Sequence, residues 1–179
     1  MDRNNIVTEV FKYFARFPDR KGVLANFVTG KDSSELKNYC SNLPATDIIP
    51  GLSDYVFGVN EENVEKRIKT IKGSYLFIDY GNFTTTRDNR MVKTDEFHLG
   101  ITVSQPLNIS SLDPVGEVLL TDKLLNILRI IRTHLINDKS DPFVKQIIFP
   151  SEITPWYSRE LSNSTGWTML CKLSGIDLL

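Results

Sequence analysis

The stretch EFHLGITVS, residues Glu96–Ser104, alternates apolar and polar side chains without interruption. Its apolar members are Phe97, Leu99, Ile101 and Val103. Successive side chains of a β-strand point to opposite faces of the sheet, so a period of two places all four on one side. The pattern predicts a strand that buries one face and leaves the other open to solvent.

Other strands are predicted on both sides of this one along the chain. Tyr75–Tyr80 is apolar and aromatic almost throughout, which is typical of a strand buried on both faces. Apolar runs at Tyr55–Val59, Val144–Phe149 and Thr165–Leu173 predict three more strands. The short apolar run Val23–Val28 is also interpreted as a strand.

Helices account for most of the remaining pattern. Asn4–Phe17 and Leu119–Ile136 carry apolar residues three and four positions apart, and the second is the longer and is rich in leucine. Asn60–Lys72 begins with an asparagine that can cap a helix and is followed by Gly73, which favours termination. A variant of the capping box at Asp32–Glu35 predicts the start of a further short helix.

The segment boundaries leave one choice open. The long helix can begin at Asp113-Pro114 or at Thr121, since each is a favourable N-terminus. Pro150–Ser164 is polar and contains prolines, so it is interpreted as a loop.

Together the elements predict an α+β fold: a single, mostly antiparallel sheet packed by helices, including the Leu-rich one. A chain of 179 residues fits one domain, residues 1–179.

The composition argues against several classes of protein. Hydrophobic residues make up 41% of the chain and charged residues 24%, a balance that argues against disorder. The formal net charge of −1 provides no general attraction to nucleic acid or to acidic membranes. Met1–Ile6 lacks the apolar stretch of a signal peptide, and no apolar run approaches the roughly 18 residues of a membrane span. We therefore expect a cytoplasmic protein.

The sequence contains no recognisable catalytic, cofactor-binding or metal-binding motif. Thr29–Ser33 is similar to a phosphate-binding loop but lacks its first glycine and the hydroxyl residue after the lysine. His98 and His134 have no partner at metal-ligand spacing, and Cys40 and Cys171 are interpreted as buried thiols. We therefore expect no enzyme activity, no cofactor, no metal and no small-molecule substrate.

A metal-dependent nuclease is kept as a less favoured alternative, because acidic residues lie in or beside two predicted strands. Such an enzyme needs two carboxylates that converge on magnesium and a lysine that stabilises the transition state. Asp79, Asp95 and Lys93 are the candidates. The simpler interpretation is that Asp79 forms an ion pair or a cap at the end of its strand.

The segment best suited to an interaction lies between the two clearest strands. Gly81–Asp95 is polar and rich in threonine, asparagine and arginine, and it is interpreted as an extended hairpin or a flexible loop. Long polar connections of this kind are uncommon unless they have a function. A solvated loop without a partner is the alternative. The candidate interaction residues are Asn82, Thr84, Arg87, Arg90 and Lys93.

The order of these elements resembles that of bacteriophage tail-terminator and tail-completion proteins, which cap the tail tube at its junction with the head. The resemblance covers Tyr55–Leu173, and residues 20–50 have no counterpart in it. It rests on the strands Ser74–Ile78 and Phe97–Val103, the polar segment between them, the Leu-rich helix and the closing segment Leu161–Met169.

The resemblance implies a non-enzymatic structural protein that joins its neighbours or the tail tube through sheet edges and a projecting loop. Proteins of this class often form rings, commonly hexamers, of identical subunits joined head to tail. Such closure requires two different, complementary patches on each subunit. The location would then be a virion as well as the cytoplasm. A small adaptor or regulatory protein that binds another protein is the alternative.

Overall fold

A computed structural model describes residues 6–27, 34–45, 48–87, 93–107, 113–138 and 140–175 of the chain. Within these residues five strands form one sheet in the order β1-β2-β3-β5-β4. The first two strands are parallel, and all other neighbours are antiparallel. The predicted α+β class with a mostly antiparallel sheet is confirmed. The strands are Leu52–Phe57 (β1), Ser74–Arg87 (β2), Lys93–Pro106 (β3), Ile147–Ser158 (β4) and Ser164–Gly175 (β5).

The α-helices in the described part of the chain include the long Leu-rich helix that the sequence predicts. Its N-cap is Asp113, whose side chain accepts a hydrogen bond from the backbone N–H of Gly116 at 2.6 Å. Of the two predicted starts, Asp113-Pro114 is therefore the one that occurs. The predicted cap residues Asp32 and Ser33 lie outside the described residues. The helices are Ile6–Ala15 (α1), Arg20–Leu24 (α2), Ser34–Ser41 (α3), Glu61–Ile68 (α4) and Pro114–Asn137 (α5).

One face of the sheet carries the main hydrophobic core. The four alternating apolar residues of β3 are buried there, as their period of two predicts. Helices α1 and α5 cover this face, and residues such as Phe14 and Leu128 belong to the same core. The central strand β2 is buried on both faces: Leu76 belongs to the main core, whereas Phe77 packs beneath α4 on the opposite face.

The strand predicted over Val23–Val28 is wrong. Val23 and Leu24 are the last residues of a short helix, α2, and residues 25–27 form the turn that follows it. Val28 lies outside the described residues. The Asp19 side chain caps this helix by accepting a hydrogen bond from the Lys21 backbone N–H at 2.6 Å. Gly22 then lies against β1 so closely that a Cβ there would be 2.1 Å from the Ser53 carbonyl oxygen. The apolar run is too short for its spacing to distinguish a helix from a strand, and the cap at Asp19 favours the helix at its start.

The predictions for Val144–Phe149 and Pro150–Ser164 are also partly wrong. Val144–Gln146 forms a 3-10 turn, and β4 begins at Ile147 and continues through most of the predicted loop. Because β4 is the outermost strand and pairs with β5 alone, it tolerates prolines such as Pro155. Only a five-residue turn, 159–163, remains between β4 and β5.

Helix α4 begins where the sequence predicts but ends four residues early, at Ile68. The Asn60 side chain accepts a hydrogen bond from the Asn63 backbone N–H at 2.9 Å, which confirms the predicted cap. At the other end the Ile71 N–H bonds the Ile68 carbonyl oxygen at 2.9 Å, three residues back. This tighter turn ends the helix and brings Ile71 into the small cluster between α4 and the sheet.

Candidate interaction surfaces

The polar segment Gly81–Asp95 is the outer part of an extended β-hairpin, one of the two forms that the sequence predicts. Strands β2 and β3 remain paired as far as Arg87 opposite Lys93. Beyond the half-buried Phe83, the strand β2 is exposed up to its end. We call residues 84–87 and 93–96 the hairpin arm. Arg90 lies outside the described residues.

The candidate interaction residues that can be placed all lie exposed on or beside the hairpin arm: Asn82, Thr84, Arg87 and Lys93. The two carboxylates at the base of the arm are already engaged. Asp95 is buried and accepts a hydrogen bond from the Thr85 hydroxyl at 2.6 Å. Glu96 is paired with Lys172, with Nζ and Oε1 2.9 Å apart.

The end of the arm is therefore cationic. Arg87 and Lys93 form no ion pair with any other residue in the described part of the chain. They are also directly opposite each other across the hairpin. Two exposed like charges in this position repel each other, and no ion pair in the described structure offsets this repulsion.

A second surface lies on the sheet face opposite the main core, and the sequence does not predict it. On this face β3 and β5 carry small residues, and Thr102 and Thr168 are joined by a hydrogen bond of 2.7 Å between their hydroxyl oxygens. At Gly166 the strands approach so closely that a Cβ would be 2.0 Å from the Val103 carbonyl oxygen. The half of the face that α4 leaves uncovered is thus shallow around Thr102, Thr168 and Gly166, with the exposed Leu170 beside them.

A groove of about 1030 Å³ opens on this face. One wall is α4 with the residues before it, and the other is the end of β4 with the turn that follows. Leu161, in that turn, packs against the small apolar cluster to which Val64 of α4 belongs. Phe77, Trp156 and Tyr157 supply aromatic surface to the lining.

The charge in the groove is entirely negative. No lysine or arginine lines it. Five carboxylate side chains do, and they belong to Glu61, Glu62, Glu65, Asp79 and Glu160. Of these, only Glu65 has a cationic partner among the described residues, namely Lys69, with Nζ and Oε1 2.5 Å apart. We call this surface the acidic groove.

The pKa of Asp79 is affected by its position in the acidic groove. Desolvation by the surrounding groove raises the pKa of its carboxyl above the usual value of 3.8, although the side chain still has access to solvent. The prediction that Asp79 forms an ion pair or a cap is not met, since no cationic partner of Asp79 occurs among the described residues. A cation placed in the groove would favour the ionised form of Asp79.

The three candidates for a nuclease site do not come together. Asp79 shares its sheet face with Phe77, whereas Asp95 shares the opposite face with Phe97, because side chains alternate along each strand. Lys93 lies two residues beyond Asp95 at the end of the arm. No group of three or more potential metal-binding side chains is present among the residues that the structure describes.

The histidines lie at the surface, and the cysteines are buried as the sequence predicts. His98 and His134 are exposed, and the His134 ring lies 5.5 Å from that of Phe17. Cys40 and Cys171 are buried free thiols. Burial raises the pKa of Cys40 to about 11 and that of Cys171 to about 12, so neither thiol is ionised near neutral pH.

Comparison with known proteins gives no relative for this chain: no family model, no curated protein and no solved structure matches it. Over the described ranges, none of the helices is both long enough and apolar enough to cross a membrane.

Proposed function

We propose that this chain is a non-enzymatic assembly protein that joins protein partners through its hairpin arm. The observation that carries the proposal is the pair Arg87 and Lys93: two exposed cations, held side by side at the end of two paired 14-residue strands, with no ion pair in the described structure. Such a pair costs stability in the isolated molecule. A partner with negative charge would offset this cost.

The sheet edges are less suited to the same purpose than the arm. The register of β4 against β5 shifts between Ile148 and Glu152, and Pro155 lies further along β4. Bulges and prolines of this kind limit the addition of a strand from another molecule. At the other edge, β1 is bridged at Asp54 by Gly22. We therefore assign the principal contact to the arm.

The biological setting that we propose is the one implied by the resemblance in element order, a tail-completion subunit of a phage or prophage, present in the cytoplasm and then in the virion. It would contact the tail tube or further copies of itself. Neighbouring genes for capsid, portal and tape-measure proteins would support this setting. Their absence would favour an adaptor that binds one host protein, a function for which the acidic groove is also suited.

The proposal is tested by shortening the arm without disturbing the body. Residues 87–93 are replaced with Asn-Gly, which joins the paired residues Thr86 and Thr94 by a two-residue turn of the type that hairpins favour. Circular dichroism and the thermal midpoint establish that the variant is folded. Sedimentation velocity over a range of concentrations and salt then measures association of the chain with itself. We expect the shortened variant to lose the association; association that is unchanged would contradict the proposal.

A further inference from the structure

The acidic groove and the hairpin arm carry opposite charges on one molecule, and we propose that the acidic groove of one copy receives the hairpin arm of a second copy. This inference rests on the proposed function, since it names the partner and the receiving surface. The arm ends in Arg87 and Lys93. The groove is lined by five carboxylates without a cation among its lining residues. The described end of the arm and the lining of the groove are therefore complementary in charge.

The arm cannot reach the groove of its own molecule. Arg87 follows Asp79 along the same strand, and at about 3.3 Å per residue the two are separated by roughly 25 Å. Pairing with β3 on both sides of a bulge between Tyr80 and Phe83 keeps β2 extended over most of this distance. The contact must therefore form between molecules.

The lining of the acidic groove also suits arginine and lysine side chains. Trp156 and Tyr157 offer aromatic surface on which a guanidinium group can stack. Glu62 and Glu160, exposed on opposite walls, offer carboxylates from two sides. A volume of about 1030 Å³ accommodates several long side chains.

Because each contact joins two different surfaces, two copies can exchange arms in a closed dimer or can associate head to tail. Each copy has one arm to donate and one groove to accept, so repeated contacts form a ring if the rotation closes and a filament if it does not. This arrangement allows donor and acceptor to be separated by mutation. Two variants that cannot associate alone should then associate with each other once.

The acceptor variant is Arg87→Glu with Lys93→Glu, which keeps the acidic groove. The donor variant is Glu62→Lys with Glu160→Lys, which keeps the arm and leaves Glu61 in the first turn of α4. A matched control is Glu117→Lys with Asp122→Lys, two exposed acidic residues of α5 outside the groove. The control changes the net charge of the chain as much as the donor variant does.

The experiment measures sedimentation velocity at low ionic strength, where screening is weak. We expect the wild type and the control to associate, each of the two variants alone to be monomeric, and their mixture to form a one-to-one complex. Raising the salt concentration should dissociate it. A chain with all four substitutions should not associate, because Glu61, Glu65 and Asp79 remain in its groove and repel the two glutamates of its arm.

Each other outcome decides against one of the two proposals. If the mixture of donor and acceptor variants forms no complex, the acidic groove is not the receiving surface. If the shortened arm abolishes association while the donor variant still associates with itself, the proposed function is retained and the groove inference is wrong. If the wild type associates and the shortened arm has no effect, the proposed function itself is wrong. A wild type that stays monomeric under these conditions overturns the inference of a second copy as partner.

Discussion

Arg87 and Lys93 stand directly opposite each other at the end of the β2–β3 pair, two cations on adjacent strands where opposite charges would be more stable. Neither is neutralised by an ion pair in the described structure. The repulsion lowers the stability of the free molecule. A negatively charged partner that binds here would offset the repulsion, which would favour binding.

The first prediction concerns this pair. Lys93→Glu replaces a cross-strand repulsion by an attraction and should raise the free energy of unfolding by about 0.5–1 kcal/mol. The same substitution should weaken self-association. Urea denaturation measures the first effect and sedimentation the second. Lys37→Glu, at an exposed position of α3, changes the net charge equally and should reproduce neither effect.

The second prediction concerns the pH dependence of stability at Asp79. Because desolvation raises its folded-state pKa above 3.8, the folded protein favours the protonated carboxyl, and ionisation costs stability as the pH rises through this raised pKa. Asp79→Asn removes that cost and should raise the free energy of unfolding at pH 7. Below about pH 3.8 both states are protonated and the gain should disappear. Denaturation at pH 7 and pH 3 tests this, with Asp122→Asn on α5 as control; an equal gain at both values would contradict it.

The third prediction concerns the close approach of β3 and β5. In Gly166→Ala the new Cβ would lie 2.0 Å from a backbone oxygen of Val103, and neither strand can move without losing its pairing. We expect a loss of about 2–3 kcal/mol in unfolding free energy. Gly100→Ala is a matched control on the same face, since its nearest contact would be an ordinary 3.6 Å to the Asp79 Cβ. Similar losses for the two variants would show that this contact is not the cause.

The fourth prediction concerns the residue that holds α4, and thus one wall of the acidic groove, against the sheet. Arg67 Nη2 donates to Asp54 Oδ1 at 2.7 Å and to the Gly22 carbonyl oxygen at 3.1 Å. Arg67→Met keeps the apolar stem but leaves the half-buried Asp54 without its cation, at a cost of about 1–3 kcal/mol. Lys66→Met, at the exposed neighbouring position, should cost little. Chemical denaturation of both variants provides the comparison.

The sequence predicts those parts of the fold whose signal is local. The alternation in Phe97–Val103 and the cap at Asn60 depend on a few neighbouring residues, and both are confirmed. The part of β4 from Pro150 onward is not predicted, because its prolines indicate a loop unless one knows that β4 lies at the edge of the sheet. That knowledge depends on the pairing of strands distant in sequence.

The same distinction explains the two candidate surfaces. The hairpin arm is contiguous in sequence, so its polarity and length predict it. The acidic groove combines residues 61–65 of α4, Asp79 of β2 and residues 156–161 after a long interval. In the sequence, Glu61 and Glu62 have a sufficient explanation as helix-capping charges. Only the strand order brings these carboxylates to one face.

The continuity of the hairpin arm with the central strands has a mechanical consequence. Strands β2 and β3 run from the arm into the core with one shift of register, between Tyr80 and Phe83, and β3 is paired with β5 along nearly its full length. A force applied to the arm along the strand direction would therefore load many backbone hydrogen bonds together instead of opening them one after another. A contact made by the arm would transmit tension to the centre of the molecule through these strands, and the bulge between Tyr80 and Phe83 is a point at which β2 can bend.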